Sequence, residues 1–300
     1  MSLEDAPGSH YSHPRTVEDH LRLEKRAGRQ KCGVNLFRQL TKRDGPLAGR
    51  NVTLVGRDMT TPVNGDVESF IVSETDAANW QEARGFVAWS SQAGYNVNNA
   101  VFRRFRGQAF SYSLTGLAGC TALVIVSRQA VYVAHYWENI AFDMDAGIVP
   151  SYASQEDAFQ ESVVRGLQDG VVIDGMREQD SLHRNRRQFA DEYVHAFLMI
   201  PATDTTNTVR DPYRDAWETI KQVVGGIIPL LQDPGRWTEY PYQPIQETDT
   251  IRDAFNNIVF NPWKTSRGRL LFKYEPYHGD YRKTLLITET TIQQSGSWEW

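Results

Sequence analysis

Cysteine is almost absent: the 300 residues carry two, Cys32 and Cys120, far apart and in unlike surroundings. A pair of thiols cannot build the disulfide framework of a small secreted scaffold, so a reducing compartment is the expected home. Long apolar runs are missing too. No stretch approaches the ~20 apolar residues of a membrane-crossing helix. The N-terminus, MSLEDAPGSHYSHP, lacks the charged-then-apolar order of a signal peptide. The chain as given is therefore expected to be cytoplasmic, with no membrane span. Charge of one sign is not in excess either. With 32 basic and 37 acidic side chains the net charge is −5, which argues against a polyanion binder and hence against nucleic acid as partner.

Several chemistries are excluded because their motifs are lacking. There is no GxxxxGK[ST] phosphate loop, HExxH zinc helix, GxSxG elbow or CxxC pair. His183, His195 and His278 have no spacing that assembles a metal site, and His195 in an apolar strand reads as a hydrogen-bonded core histidine. Asp143 and Asp145 lack the remaining ligands of a calcium loop and read as turn carboxylates. No metal or organic cofactor is expected.

What is present divides the chain in two. Residues 1–50 read as a basic, partly helical arm, with Lys25, Arg26, Arg29, Lys31, Arg38, Lys42 and Arg43. Residues 51–300 read as a single domain. Short strands are expected at 51–55, 69–73, 86–89 and 109–114, where Phe102, Phe105 and Phe110 interleave with arginines as on a strand with its apolar side chains inward. A helix is expected over 154–167, opened by a serine cap and early acids. Strands follow at 171–173 and 193–200, then an apolar-periodic helix over 211–231, which Gly225-Gly226 can bend or interrupt. Strands at 257–260, 269–274 and 283–290 complete the chain, the last two joined by EPYHGDYR. The balance is α+β, with a strand-built core and helices outside it.

The segment 115–142, TGLAGCTALVIVSRQAVYVAHYWENIAF, carries the chemistry. It reads as a small-residue turn, an apolar strand, a polar turn and a second apolar strand. With Ser127 and Arg128 as the central turn residues, Cys120 falls opposite His135 and shares its face of the sheet. With Arg128 and Gln129 at the centre, His135 opposes Ala122 and stands one diagonal step from Cys120, still on its face. Either register brings a thiol and an imidazole to one end of one hairpin, as a cysteine nucleophile requires. Gly116, Ala118 and Gly119 would let the backbone turn tightly and a substrate approach the sulfur, and amides of the Gly119-Cys120 turn could face an oxyanion. A buried, core-filling Cys120 is the competing reading.

LAGCT, then a strand, a turn and AH, with Cys120 and His135 fifteen positions apart, resembles the catalytic hairpin of the cytotoxic necrotizing factor-like, LSGC-motif cysteine glutamine deamidases. The bacterial chemoreceptor glutamine deamidases share the cysteine-histidine arrangement. The family's serine two places before the cysteine is Ala118 here. The resemblance implies a central β-sandwich of mixed sheets with peripheral helices and long loops. It also implies Cys120 as nucleophile and His135 as base, with Thr115 as the nearest counterpart of the group that orients the histidine; Glu138 and Asn139 are alternatives, otherwise read as solvent-facing turn residues. The implied activity is deamidation of a glutamine in a protein substrate, a small GTPase by analogy, by a toxin-like effector inside a host cell. Transamidation follows where an amine outcompetes water. The alternative is a non-enzymatic binding module that makes its contacts through the basic arm or through exposed aromatics near Trp237, Tyr240 and Tyr242. Oligomeric state is not readable.

Overall fold

The computed structural model describes residues 59–75, 84–86, 98–144, 152–173, 176–202, 213–246, 249–261 and 264–299, all within the Lys31–Trp300 unit of the chain. The basic arm and the strand expected at 51–55 lie outside the described residues. In chain order the strands are β1 (Arg84–Phe86), β2 (Asn99–Arg104), β3 (Phe110–Leu114), β4 (Thr121–Val126), β5 (Ala130–Tyr136), β6 (Val171–Ile173) and β7 (Met176–Gln179). The remainder are β8 (His195–Pro201), β9 (Trp237–Tyr242), β10 (Ile251–Arg252), β11 (Ile258–Phe260), β12 (Leu270–His278), β13 (Tyr281–Thr288) and β14 (Thr291–Glu299). Helices are α1 (Val67–Thr75), a continuous helical stretch α2 over 155–169, the short α3 (Leu182–Asn185) and α4 (Arg214–Ile227).

Two mixed sheets form a sandwich. One runs β6-β7-β2-β5-β4-β8-β9 and the other β1-β3-β12-β13-β14, while β10 and β11 make a small separate hairpin. Alternate residues of β4 and β5 enter the space between the sheets: Ala122, Val124 and Val126 with Val131 and Val133 meet Leu270, Phe272 and Leu286 of the opposite sheet. The other alternation, Leu123, Ile125, Tyr132 and Ala134, faces the helices and packs against Phe159, Leu167, Trp217 and Ile220. Covered on both faces, these two strands are buried along their whole length, which is why they read as near-continuous apolar runs. The architecture is α+β, as expected.

The hairpin turn centres on Arg128 and Gln129. The Ser127 amide donates to the Ala130 carbonyl at 3.0 Å, and the Ser127 hydroxyl accepts from the amides of Gln129 and Ala130. The second of the two possible registers is therefore the one formed, with Ala122 opposite His135.

Three expectations are corrected. The segment 69–73 is helical rather than a strand: Asp66 accepts from the Ser69 amide at 2.9 Å as an N-cap, and Ile71 and Thr75, one turn apart, are the residues buried. Ile71 packs on Leu271, Leu285 and Ile287, so tertiary burial decides the element. Gly225-Gly226 do not interrupt α4, which runs on to Ile227 and ends with the Ile228 amide on the Val224 carbonyl at 2.7 Å. Lastly, the aromatics of β9 are not exposed: Tyr242 is fully buried in the sandwich, and Trp237 and Tyr240 are partly buried beside core clusters. His195, as expected, is held in its strand by a hydrogen bond, 2.9 Å to the Thr238 hydroxyl.

Candidate functional site

Cys120 ends the loop that carries the chain from β3 in one sheet to β4 in the other. Small residues let that loop bend: Gly116 and Gly119 take φ of 71° and 143°, values that favour glycine. Neighbouring segments hold it from two sides. The Leu117 amide donates to the Gly268 carbonyl at 3.1 Å, and the Leu117 carbonyl accepts from the Ile245 amide at 3.4 Å. The Tyr242 hydroxyl, at the end of β9, donates to the Cys120 carbonyl at 2.7 Å and accepts from the Gly119 amide at 3.0 Å. One residue on, Thr121 accepts from the indole of Trp217 on α4 at 3.0 Å.

His135 stands near the end of β5, with Ala122 of β4 opposite on one side and Asn99 of β2 opposite on the other. Directly opposed residues share a face, and Cys120 precedes Ala122 by two, so Cys120, His135 and Asn99 all belong to the face turned into the sandwich. The imidazole lies against the Trp137 ring, with centroids 4.2 Å apart. Burial is nearly complete, at 1% exposure for His135 and 0% for Cys120. Desolvation lowers the imidazole pKa to about 3, so the ring is neutral at pH 7. Neither ring nitrogen has a hydrogen-bond partner, and neither does the Asn99 Oδ1. The Asn99 amide nitrogen does: it donates at 3.0 Å to the buried carboxylate of Glu178 on β7.

The open, reduced thiol expected from the sequence is not found. Cys120 is sealed in the interior and disulfide-bonded, and the chain's other cysteine, Cys32, lies outside the described residues. The clearance expected at Gly119 is filled: a Cβ there would lie 1.9 Å from a carboxylate oxygen of Glu138. That carboxylate accepts from the Tyr213 hydroxyl at 2.7 Å. Glu138 and Asn139 are thus buried, in the short helical segment Glu138–Phe142 that follows β5, not solvent-facing. Thr115 lies just past β3 and is half-buried, with no hydrogen bond to the His135 ring. A cleft of about 650 Å³ opens elsewhere, between α4 and β9 beside Lys221, Gly225 and Trp237.

Asn99 and Glu178 had no visible part in this constellation from the sequence. Asn99 sits in NVNN, a string too common to assign, and Glu178 is one of many charges in a polar stretch. Only strand pairing brings Asn99 across from His135 and Glu178 up behind Asn99.

No family model matches the chain, and no curated protein matches it. Among solved structures the chain is similar to the C-terminal domain of CNFy from Yersinia pseudotuberculosis, with a TM-score of 0.27 and 9% identity. The match is weak. It covers 68% of this chain and 59% of the CNFy domain, so this chain spans less than two thirds of its neighbour. A similarity at that level assigns no residue of one chain to a residue of the other. Among the described residues no helix is long and apolar enough to cross a membrane, and no cluster of His, Cys, Asp or Glu could hold a metal ion.

Proposed function

We propose that the protein is a cysteine amidohydrolase that deamidates a glutamine side chain of a protein substrate, with Cys120 as nucleophile and His135 as general base. What supports this reading is the hairpin register, which sets Ala122 opposite His135 with Cys120 two residues before Ala122, and an imidazole whose two ring nitrogens are unsatisfied at full burial.

The reaction starts from the reduced thiol. His135 takes the thiol proton as the sulfur attacks the carboxamide carbon. The C–N bond breaks as the imidazolium returns the proton to the departing ammonia, leaving a thioester. Water then attacks the thioester with His135 again taking a proton; glutamate is released and the thiol restored. An amine in place of water gives transamidation. Asn99 supports this cycle better than Thr115, because its Oδ1 is buried, unpartnered and directly across the ladder from the imidazole. A small GTPase remains the substrate suggested by the resemblance of the hairpin, and delivery into a host cytosol the setting. In the oxidised, buried state the same residues are ordinary core, which favours the binding-module reading for that state.

The test is to reduce wild type and Cys120→Ser, incubate each with a host-cell lysate, and map glutamine-to-glutamate conversions by mass spectrometry. Conversions made by wild type and absent with Cys120→Ser are expected. Identical maps leave a binding module.

A further inference from the structure

We propose that Glu178 is a positioning residue which, acting through Asn99, fixes the orientation and tautomer of His135; the inference rests on the Cys120–His135 reading above. The four residues lie in spatial order on adjacent strands: Glu178 on β7, Asn99 on β2, His135 on β5, and Cys120 at the head of β4.

Glu178 is 6% exposed, and burying a carboxylate is costly unless hydrogen bonds replace its water. One of those bonds comes from the Asn99 amide nitrogen, 3.0 Å from Oε2. Oε2 accepts in that bond, which settles which end of the Asn99 amide is nitrogen. The NH₂ group must face Glu178, and Oδ1 must turn away from it. Had Glu178 been a donor, the amide would present its nitrogen in the other direction.

Oδ1 is thereby left as a buried acceptor without a partner, across the ladder from an imidazole whose nitrogens also lack partners. A neutral imidazole carries one N–H and one lone pair. An acceptor fixed on the Asn99 side favours the N–H there, and once the Cys120 disulfide is reduced the lone pair is left for the thiol proton. That is the tautomer a general base needs, chosen from two strands away. The frame around the pair is rigid. Asn98 Oδ1 accepts from the Trp137 amide at 2.8 Å while its amide nitrogen donates to the Ser162 hydroxyl at 2.9 Å. Gln179 donates to the Ser162 carbonyl at 2.9 Å, so the ends of β2, β5 and β7 are pinned to α2 together.

Among the described residues, the titratable groups around this end of the hairpin include Glu178, behind Asn99, Glu138, packed on Gly119, and Cys120 once it is reduced. The experiment therefore includes Glu138→Gln as a control. The rate of iodoacetamide alkylation of Cys120 in the reduced full chain is measured against pH for wild type, Glu178→Gln, Asn99→Ala, the double variant and His135→Ala. Glu178→Gln is expected to slow alkylation at pH 7 about tenfold and to move the midpoint about one unit upward, because the imidazolium loses its remote countercharge. In an Asn99→Ala background it is expected to add nothing, since the two act as one unit. A Glu178→Gln profile coinciding with wild type, or effects that multiply in the double variant, overturns the proposal.

A purely structural role would lower the melting temperature without moving the midpoint. If Glu178→Gln does not fold, Asn99→Ala with Glu178 intact decides the matter, and a profile matching wild type counts against the relay. The outcomes also separate the two readings. A profile unaffected by His135→Ala removes the dyad and the relay with it. A profile that responds to His135 but not to Glu178 sinks the relay alone. Shifted profiles with no deamidation of lysate proteins sink only the glutamine substrate.

Discussion

His135, buried with neither ring nitrogen partnered, is a liability to the fold as acid is added. Its pKa in the folded chain is about 3, lowered by burial, against an ordinary 6.5 in the unfolded chain. Between those two values the unfolded state binds a proton that the native state refuses, so stability falls as pH drops from 6.5 toward 3 and is unaffected above 6.5. The slope from this one group is about 1.4 kcal/mol per pH unit. Urea unfolding of wild type and His135→Asn at pH 7, 5.5 and 4.5 is expected to show the steeper loss in wild type, the two curves converging as acid is added. Parallel curves would mean that the imidazole is protonated in the native state. At this scale the sequence was informative in part. Hairpin parity alone put Cys120 and His135 on one face, because a strand's period of two leaves little freedom. It did not show that the sulfur is bonded, that Glu138 fills the space at Gly119, or that Asn99 lies across from the ring. Those facts come from non-local pairing, and residues 99 and 178 approach only after β7 has docked on β2.

Among the elements, β4 and β5 were legible to the residue or nearly so, since β-branched runs bounded by turn residues leave few alternatives. α1 was not. Its nine residues, VESFIVSET, satisfy both a short strand and a helical turn, and burial of Ile71 and Thr75 against the outer sheet settles the choice. β9 and β14 escaped notice for a different reason. WTEYPY holds a proline and TIQQSGSWE is mostly polar and partly exposed, as suits strands at the two sheet edges. α4 was plainly visible from its apolar period, and it bears directly on the site. Trp217 is wholly buried against the hairpin, and its indole donates to Thr121, the residue after Cys120. Trp217→Phe keeps most of the apolar area but leaves the Thr121 hydroxyl without that donor, an expected loss of about 1–2 kcal/mol. Trp217→Ala adds a cavity and should cost about 3–5 kcal/mol. Chemical denaturation separates the two, and equal stability of Trp217→Phe and wild type would show that the indole bond contributes nothing to anchoring the loop that ends at Cys120.

For the molecule as a whole, the proposed function makes the oxidation state of Cys120 the switch between two behaviours of one fold. The low cysteine count suggested a reducing home, yet Cys120 is disulfide-bonded, and bonded sulfur at full burial is neither a nucleophile nor reachable by a peptide amide. Since the chain holds two cysteines in all, unreduced protein denatured in guanidinium is expected to give no reaction with a thiol reagent, and two thiols per chain after treatment with dithiothreitol. The reductant supplies two electrons and two protons and leaves as its own cyclic disulfide, so no metal or further cofactor enters the step. Deamidation of lysate proteins should follow the same switch, absent before reduction and present after it, while the β-sheet circular dichroism stays unchanged because the core contacts of β4 and β5 do not depend on the sulfur. Electrophoresis without reductant checks the bond's reach: migration as a single chain is expected, and a reducible doublet at twice the mass would place the bond between copies. Full activity in protein that has never met a reductant, with no thiol released on denaturation, would remove Cys120 from the chemistry and leave the sandwich as a scaffold for binding alone.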